Sequence, residues 1–374
     1  MTHISTDPPA ASGVATTSGA EGLLPNSWTD ALVDSGMAPD FVLRYGIRRF
    51  LAERVAQIRQ VGGWEAQTAA EMGYVQVAQT REATINTDEA NEQHYEVPTE
   101  FLRLCLGKRM KYSACVFPPG VTDLSKAEEI TLEEYCRKAD LKDGQKVLDL
   151  GCGWGSLTLF LAERYPNSVI YSLSNSSTQR AHIEAECKRR NLNNVRVFVG
   201  DVAVFEFPAI TRDFDRILSV EMLEHVRNHP LIFKKVSSWL SHSDDARFFV
   251  HVFCHRTRSY DFDTEEGDSW MARHFFTGGC MPSESLFMNY QQDLRVVNRW
   301  AINGSHYGAT SEAWLKTLDS NRETAIERVL DEALQEAHVR FNRWRVFFMA
   351  VAECFAYDGG EEWGVVHYLF ARQS

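Results

Sequence analysis

The chain has 374 residues, 44% hydrophobic and 24% charged, enough to bury one large core or two modest ones. A formal charge of −12, with no Lys/Arg-dense run, excludes nucleic acid as the substrate, because binding it needs a basic footprint. Eight scattered cysteines with no C-x-x-C pair give neither zinc spacing nor a disulfide framework, so no metal is expected and a reducing cytosol is the expected compartment.

In chain order, residues 1–25 are rich in Ser, Thr, Ala, Gly and Pro and read as a disordered tail. They lack the charged-then-apolar pattern of a signal peptide. They carry Asp7 and Glu21, with no arginine before Arg44, which disfavours an organelle transit peptide. Phe41–Gln60 reads as a helix, with Leu43, Ile47, Phe50 or Leu51, Val55 and Ile58 at helical spacing. Its other side carries Arg44, Arg48, Arg49, Arg54 and Arg59 against Glu53. Such a basic amphipathic helix can lie on a membrane or pack on its own protein, and packing is the favoured reading. Residues 26–130 are expected to form a helical N-terminal lid and substrate region.

From Lys146 the rhythm becomes strand-then-helix. β-Branched runs at Lys146–Leu150, Val169–Leu173, Val195–Val199, Arg216–Val220 and Arg247–Phe253 are separated by helical patterns such as Ser156–Arg164 and Thr178–Arg190. The alternation predicts an α/β fold with a mostly parallel sheet over residues 131–253. The longest apolar run, Phe248–Cys254, is strand-length and far short of a membrane span. Residues 254–374 are expected to hold a substrate cap plus two last core strands, Leu294–Ile302 and Val365–Phe370, around a helical segment from Ser311 to about Tyr357.

Val147–Gly155 is an apolar strand running into a glycine-rich turn. Gly151, Gly153 and Gly155 permit a tight turn and close backbone approach to a ligand. The spacing is G-x-G-x-G, with Ser156 where the dinucleotide fingerprint has glycine. Asp149 stands where a carboxylate could accept hydrogen bonds from a ligand ammonium. Asp201 and Val202 follow the third strand, where an Asp commonly meets an adenine amino group. The second strand ends in Ser174–Gln179, whose Asn175 and Gln179 offer neutral side chains to ribose hydroxyls. All lie at carboxyl ends of strands, where open α/β sheets bind ligands.

Asn91–Thr99, Lys111–Cys115, Asp149–Ser156, Asp215–Val226, Arg273–Ser283 and Gly359–Trp363 together resemble the methyltransferases related to cyclopropane fatty acid synthase, most closely the plant coclaurine N-methyltransferase type. The resemblance implies a class I methyltransferase (Rossmann-like) fold with a mostly parallel seven-stranded sheet, a helical N-terminal lid and C-terminal cap insertions. It implies S-adenosyl-L-methionine as methyl donor, with Tyr112, Ser113, Gly151, Gln179 and Asp201 as cofactor contacts. A homodimer is consistent with it.

Methyl transfer from a sulfonium needs an electron pair on the acceptor, so a protonated amine must first lose a proton, and histidine suits that task. Ser219–Val226 offers Glu221, Glu224 and His225 at the end of the fourth strand. By the resemblance, His225 is the base, Glu224 orients or polarises it and Glu221 attracts the cationic amine. In cyclopropane synthases the segment typically reads Gly-Met-Phe-Glu-His, with no first glutamate. Cys115, Glu224, His251 and Tyr307, which resemble the synthases' bicarbonate site, are nevertheless present. The leading expectation is N-methylation of a small aromatic or heterocyclic amine. The alternative is a lipid methyltransferase acting on acyl chains. Candidate substrate contacts are His94, Tyr95, Tyr307, Trp344 and Phe348, from the resembling stretches and an aromatic-rich C-terminal third. His94, His251, His255 and His306 read as hydrogen-bonded structural histidines rather than catalytic ones.

Overall fold

Seven strands make one sheet: β1 (Lys146–Leu150), β2 (Val169–Ser174), β3 (Val195–Val199), β4 (Arg216–Val220), β5 (Arg247–His255), β8 (Leu294–Ile302) and β9 (Trp363–Arg372). A short ribbon of β6 (Tyr260–Asp261) and β7 (Cys280–Met281) stands apart. The structure is a computed structural model that describes residues 28–84, 98–208, 211–262, 270–330 and 334–373. The expected tail and the candidates His94 and Tyr95 lie outside the described residues.

The strand order is β3-β2-β1-β4-β5-β9-β8. The first five run parallel, and β9 is antiparallel to both β5 and β8. Parallel strands covered on both faces read as continuous apolar runs, and β5 is buried at every position after Arg247. The order reverses at β1, which opens a crevice beyond the carboxyl ends of β1 and β4.

The helices are α1 (Trp28–Ser35), α2 (Asp40–Gln60), α3 (Trp64–Ala78), α4 (Thr99–Arg103), α5 (Leu124–Lys138), α6 (Ser156–Arg164), α7 (Ser177–Arg190), α8 (His229–Trp239), α9 (Trp270–His274), α10 (Ser305–Ser320) and α11 (Leu334–Ala356). One sheet face packs a cluster around Ile217, Phe233, Trp239 and Tyr368, and another cluster gathers Leu132, Tyr135, Phe160 and Phe249. The segment expected as one helix from Ser311 is two: α10 starts earlier, at Ser305, and ends before Asn321. The Asn321 amide donates to the carbonyls of Thr317 and Leu104, so its side chain competes with the helical backbone there.

The arginines of α2 are turned to the protein's own carboxylates. Arg44 reaches Glu312 and Glu353 at 2.9 Å, Arg48 reaches Glu353 at 2.9 Å and Arg59 reaches Glu362 at 3.1 Å. The Arg54 guanidinium lies 5.3 Å from the centre of the Tyr260 ring. These pairs, with Val55 and Ile58 buried beneath, pack one side of this helix on the protein.

Candidate active site

The floor of the crevice grows from the end of β1. Gly151, Gly153 and Gly155 have φ of 80°, 51° and 80°, the left-handed region that glycine enters without penalty. A Cβ added at Gly153 would meet nothing within 4 Å, so the space above it is open to a ligand. Gly151 and Gly153 border the crevice, whereas Gly155 begins α6 and packs over Ile183. Asn175, Gln179, Asp201 and Val202 border it as expected. Gln179 Oε1 accepts from the Ser174 hydroxyl at 2.6 Å, and its buried Nε2 has no partner among the described residues. Asp201 is held by the Ala203 N–H at 2.8 Å and the Thr84 hydroxyl at 3.1 Å.

Three cofactor candidates are placed apart from the crevice border. Asp149 does not border the crevice: it is 1% exposed and its Oδ2 accepts from the Thr158 hydroxyl at 2.6 Å. Burial pushes its carboxyl up to about 6, and its place is beneath the turn, tying β1 to α6. Tyr112 and Ser113 also stand away from the crevice border. The Tyr112 ring packs 5.5 Å from Trp314 and 6.1 Å from Trp344, and Ser113 Oγ accepts from the Lys111 ammonium at 2.6 Å. Thr84, Met222, Thr277 and Gly278 also line the border; Met222, Thr277 and Gly278 fall in the resembling stretches but are not singled out there, and Thr84 lies in none of them.

The far wall is built on Glu221, directly after β4. Its φ of 48° is left-handed, unusual for a residue with a side chain, and this backbone turn aims the carboxylate inward. Oε1 accepts from the Ala114 N–H at 2.8 Å and meets His251 Nε2 at 2.9 Å, and Oε2 accepts from the Tyr307 hydroxyl at 2.9 Å. Burial raises its pKa, while the Lys111 charge and these hydrogen bonds oppose the rise. Tyr307 is thereby brought into the site, and so is His251, which the sequence reading left as structural.

Glu221 and His225 both border the crevice. The His225 ring is half-buried, stacked on Phe276 with centroids 4.7 Å apart. Burial pushes it down to about 4, only partly offset by the Glu221 charge, so it is a neutral imidazole near pH 7. Glu224 is fully buried. Its Oε1 accepts from the Phe253 N–H at 2.8 Å and its Oε2 has no hydrogen-bond partner among the described residues. The expectation that Glu224 orients His225 therefore does not match this geometry, since its hydrogen bond goes to β5 instead. Burial and the Glu221 charge raise Glu224 well above the usual carboxylate range.

Trp344 and Phe348 are placed apart from the crevice border as well. At 2% and 0% exposure they are interior to an aromatic cluster, with Trp344 5.2 Å from Phe275 and Phe348 5.6 Å from Trp314. Ring-on-ring packing accounts for their helical spacing, and neither borders the crevice.

The crevice suits a nucleoside-bearing sulfonium cofactor. It offers an open glycine turn, an unpartnered Gln179 amide and the Asp201 carboxylate at three adjacent strand ends, with the Glu221 carboxylate across from them. A crystal structure of coclaurine N-methyltransferase bound to N-methylheliamine and SAH superposes with a TM-score of 0.86 at 35% identity, covering 91% of this chain and 98% of that one. Fold and site together define an S-adenosylmethionine-dependent methyltransferase of class I fold. The family described as Mycolic acid cyclopropane synthetase matches residues 82–360, and the chain belongs to it. The (S)-coclaurine N-methyltransferase of Thalictrum flavum subsp. glaucum is 36% identical over 346 residues, 91% of this chain and 94% of that protein. That of Papaver somniferum is 34% identical over 345 residues, 91% and 97% of the two chains. The cyclopropane synthase MmaA2 from Mycobacterium tuberculosis shares the fold, with a TM-score of 0.64 at 20% identity.

Proposed function

We propose that this methyltransferase acts on the nitrogen of a small aromatic or heterocyclic amine, as the names of its plant relatives suggest. One observation carries the choice over an acyl-chain substrate. The donors that a synthase resemblance would assign to bicarbonate, His251 and Tyr307, are hydrogen-bonded to the chain's own Glu221 carboxylate. A fixed negative charge at the crevice attracts an ammonium and offers nothing to an alkene.

S-adenosylmethionine supplies, when bound, an electrophilic methyl group on a sulfonium. A carboxylate has roughly four lone-pair directions, and protein donors fill three of those on Glu221, leaving one at Oε2 for the substrate ammonium. Glu221 then takes the proton, in place of His225, because burial raises the basicity of the carboxylate and lowers that of the imidazole. Neutral His225 keeps a ring nitrogen for positioning the amine, and Phe276 fixes the plane of its ring.

The test is incubation of the full chain with S-adenosylmethionine, a panel of secondary cyclic amines and phospholipid vesicles, followed by mass spectrometry of all products. An N-methylated amine is expected. Methylated or cyclopropanated acyl chains with no amine product would overturn the reading.

A further inference from the structure

A secondary ammonium that leaves the site as a tertiary ammonium releases one proton per turnover. R2NH2+ and the sulfonium donor give R2NHCH3+, the neutral thioether and H+. If Glu221 takes that proton, it must be freed of it before the next cycle. We propose that His251, His367 and Lys138 form a proton relay that carries it from Glu221 through the protein to the surface beside Glu134. This inference rests on the amine reading above.

The atoms form an unbroken chain. Glu221 Oε1 meets His251 Nε2 at 2.9 Å, and His251 Nδ1 meets His367 Nε2 at 2.8 Å. His367 Nδ1 meets Lys138 Nζ at 2.8 Å, and Lys138 Nζ lies 3.4 Å from Glu134 Oε1. His251 and His367 are register partners on antiparallel β5 and β9, so the pleat sets both rings on one face of the sheet. Helix α5 crosses that face with Tyr135 and Lys138 turned inward, while Glu134 keeps 30% of its side chain exposed. The relay thus leaves by the sheet face, away from the crevice mouth.

Every link can be made in two opposite senses. With Glu221 ionised and Lys138 charged, each imidazole carries its proton on Nε2, donating towards Glu221 and accepting from Lys138. With Glu221 protonated and Lys138 neutral, each carries it on Nδ1, and all the donors point the other way. The proton taken at Oε2 comes to face His251 when the carboxyl group turns over; passing from the second pattern to the first then breaks one O–H and two Nδ1–H bonds, forms two Nε2–H bonds and one Nζ–H bond, and moves one positive charge from Glu221 to Lys138. Lys138 then gives its proton to solvent. The Tyr135 hydroxyl, 2.8 Å from His251 Nδ1, competes with His367 Nε2 for that nitrogen's single lone pair or single N–H in either pattern. The two rings must exchange tautomers before the next proton passes, which adds a step after the chemistry.

A purely structural role explains this arrangement poorly. His251 and His367 are 2% and 0% exposed in the middle of two apolar strands, where apolar side chains would pack without desolvation cost. The groups facing the chain also suit a transfer. Burial, with the Lys111 and Lys138 charges, holds both imidazoles neutral, and burial lowers Lys138 against the pull of Glu134 while it raises Glu221. Arg137 is engaged by Glu134, and Trp300 lies 5.0 Å from Lys138 Nζ.

The experiment uses the full chain with His367→Phe and Lys138→Met. The first arm records ring 15N NMR of the ligand-free proteins. The relay predicts neutral, coupled rings, so that Lys138→Met shifts the tautomer balance of His251 and Glu221→Gln shifts that of His367. A far ring that ignores these changes would overturn the relay. The second arm measures turnover with 1,2,3,4-tetrahydroisoquinoline. In both variants kcat should fall roughly tenfold with KM nearly unchanged, with a larger solvent deuterium effect and partial rescue by added imidazole. Unchanged kcat and isotope effect in a folded variant, or a loss confined to KM, would also overturn it. If the wild type methylates no amine at all, the amine reading falls, and the NMR arm still decides whether the chain is connected.

Discussion

The two sides of the crevice are made of different materials. The floor, at the ends of β1, β2 and β3, uses backbone turns, an unpartnered amide and one exposed-end carboxylate, all within 52 residues of sequence from Asn175 back to Gly151 and on to Val202. The wall uses buried titratable groups gathered from β4, β5, β9, α5 and α10, with His251 and His367 116 residues apart. A floor of backbone turns, one amide and one carboxylate can hold a cofactor whose charge never changes during binding. A wall of coupled acids and bases can accept a proton and pass it on. The comparison teaches that binding and proton handling are separable here, and substitutions should separate them.

The largest effect is expected at the wall. Glu221→Gln should lower kcat/KM for the amine about 100-fold while cofactor affinity, read by calorimetry, stays the same. His225→Ala should lose less. In the wild type kcat/KM should fall as pH drops through the raised Glu221 pKa, since the base must be ionised to act. In Glu221→Gln that dependence should vanish, and rising pH should restore part of the rate by supplying neutral amine. Equal loss of amine and cofactor binding would make Glu221 a structural residue. A smaller effect is expected at the floor: Gln179→Leu should weaken cofactor binding about tenfold, the value of one hydrogen bond to a charged or polar group, and leave kcat at saturating cofactor unchanged. A fall in kcat there would mean that the two sides are not separable after all.

How far the sequence could be read follows the same division. The strands β1 and β4 lie where their apolar runs place them, because a strand covered on both faces has to be apolar throughout, and the β-branched runs at the sheet edges place β3 and β8. Gly151, Gly153, Asn175, Gln179, Asp201 and Val202 were legible because the parallel fold delivers strand ends to one edge. Asp149 misled because its place in the motif says nothing about which way the carboxylate points, and Thr158, nine residues on, captures it. Trp344 and Phe348 misled because helical aromatic spacing looks the same in a core as in a pocket. The histidines of the relay did leave a trace, a His at the centre of each of two apolar strands. Their partnership depends on register between distant strands, which spacing along the chain does not encode.

The backbone at Glu221 has a consequence for how such enzymes change. A φ of 48° is one that glycine adopts freely, and a residue with a side chain holds it at a cost of about 1 kcal/mol. Removing the side chain therefore asks nothing of the main chain. Glu221→Gly should fold and melt within about 1–2 kcal/mol of the wild type, with Ala114 N–H, His251 and Tyr307 left facing a space the size of a small oxyanion; calorimetry and circular dichroism would check this, and failure to fold would show the carboxylate to be a pin. Glutamate and glycine codons differ at a single base. If the variant folds, a charged acceptor site and a neutral one are mutational neighbours, and a lineage can cross between them without passing through a protein that has lost its shape.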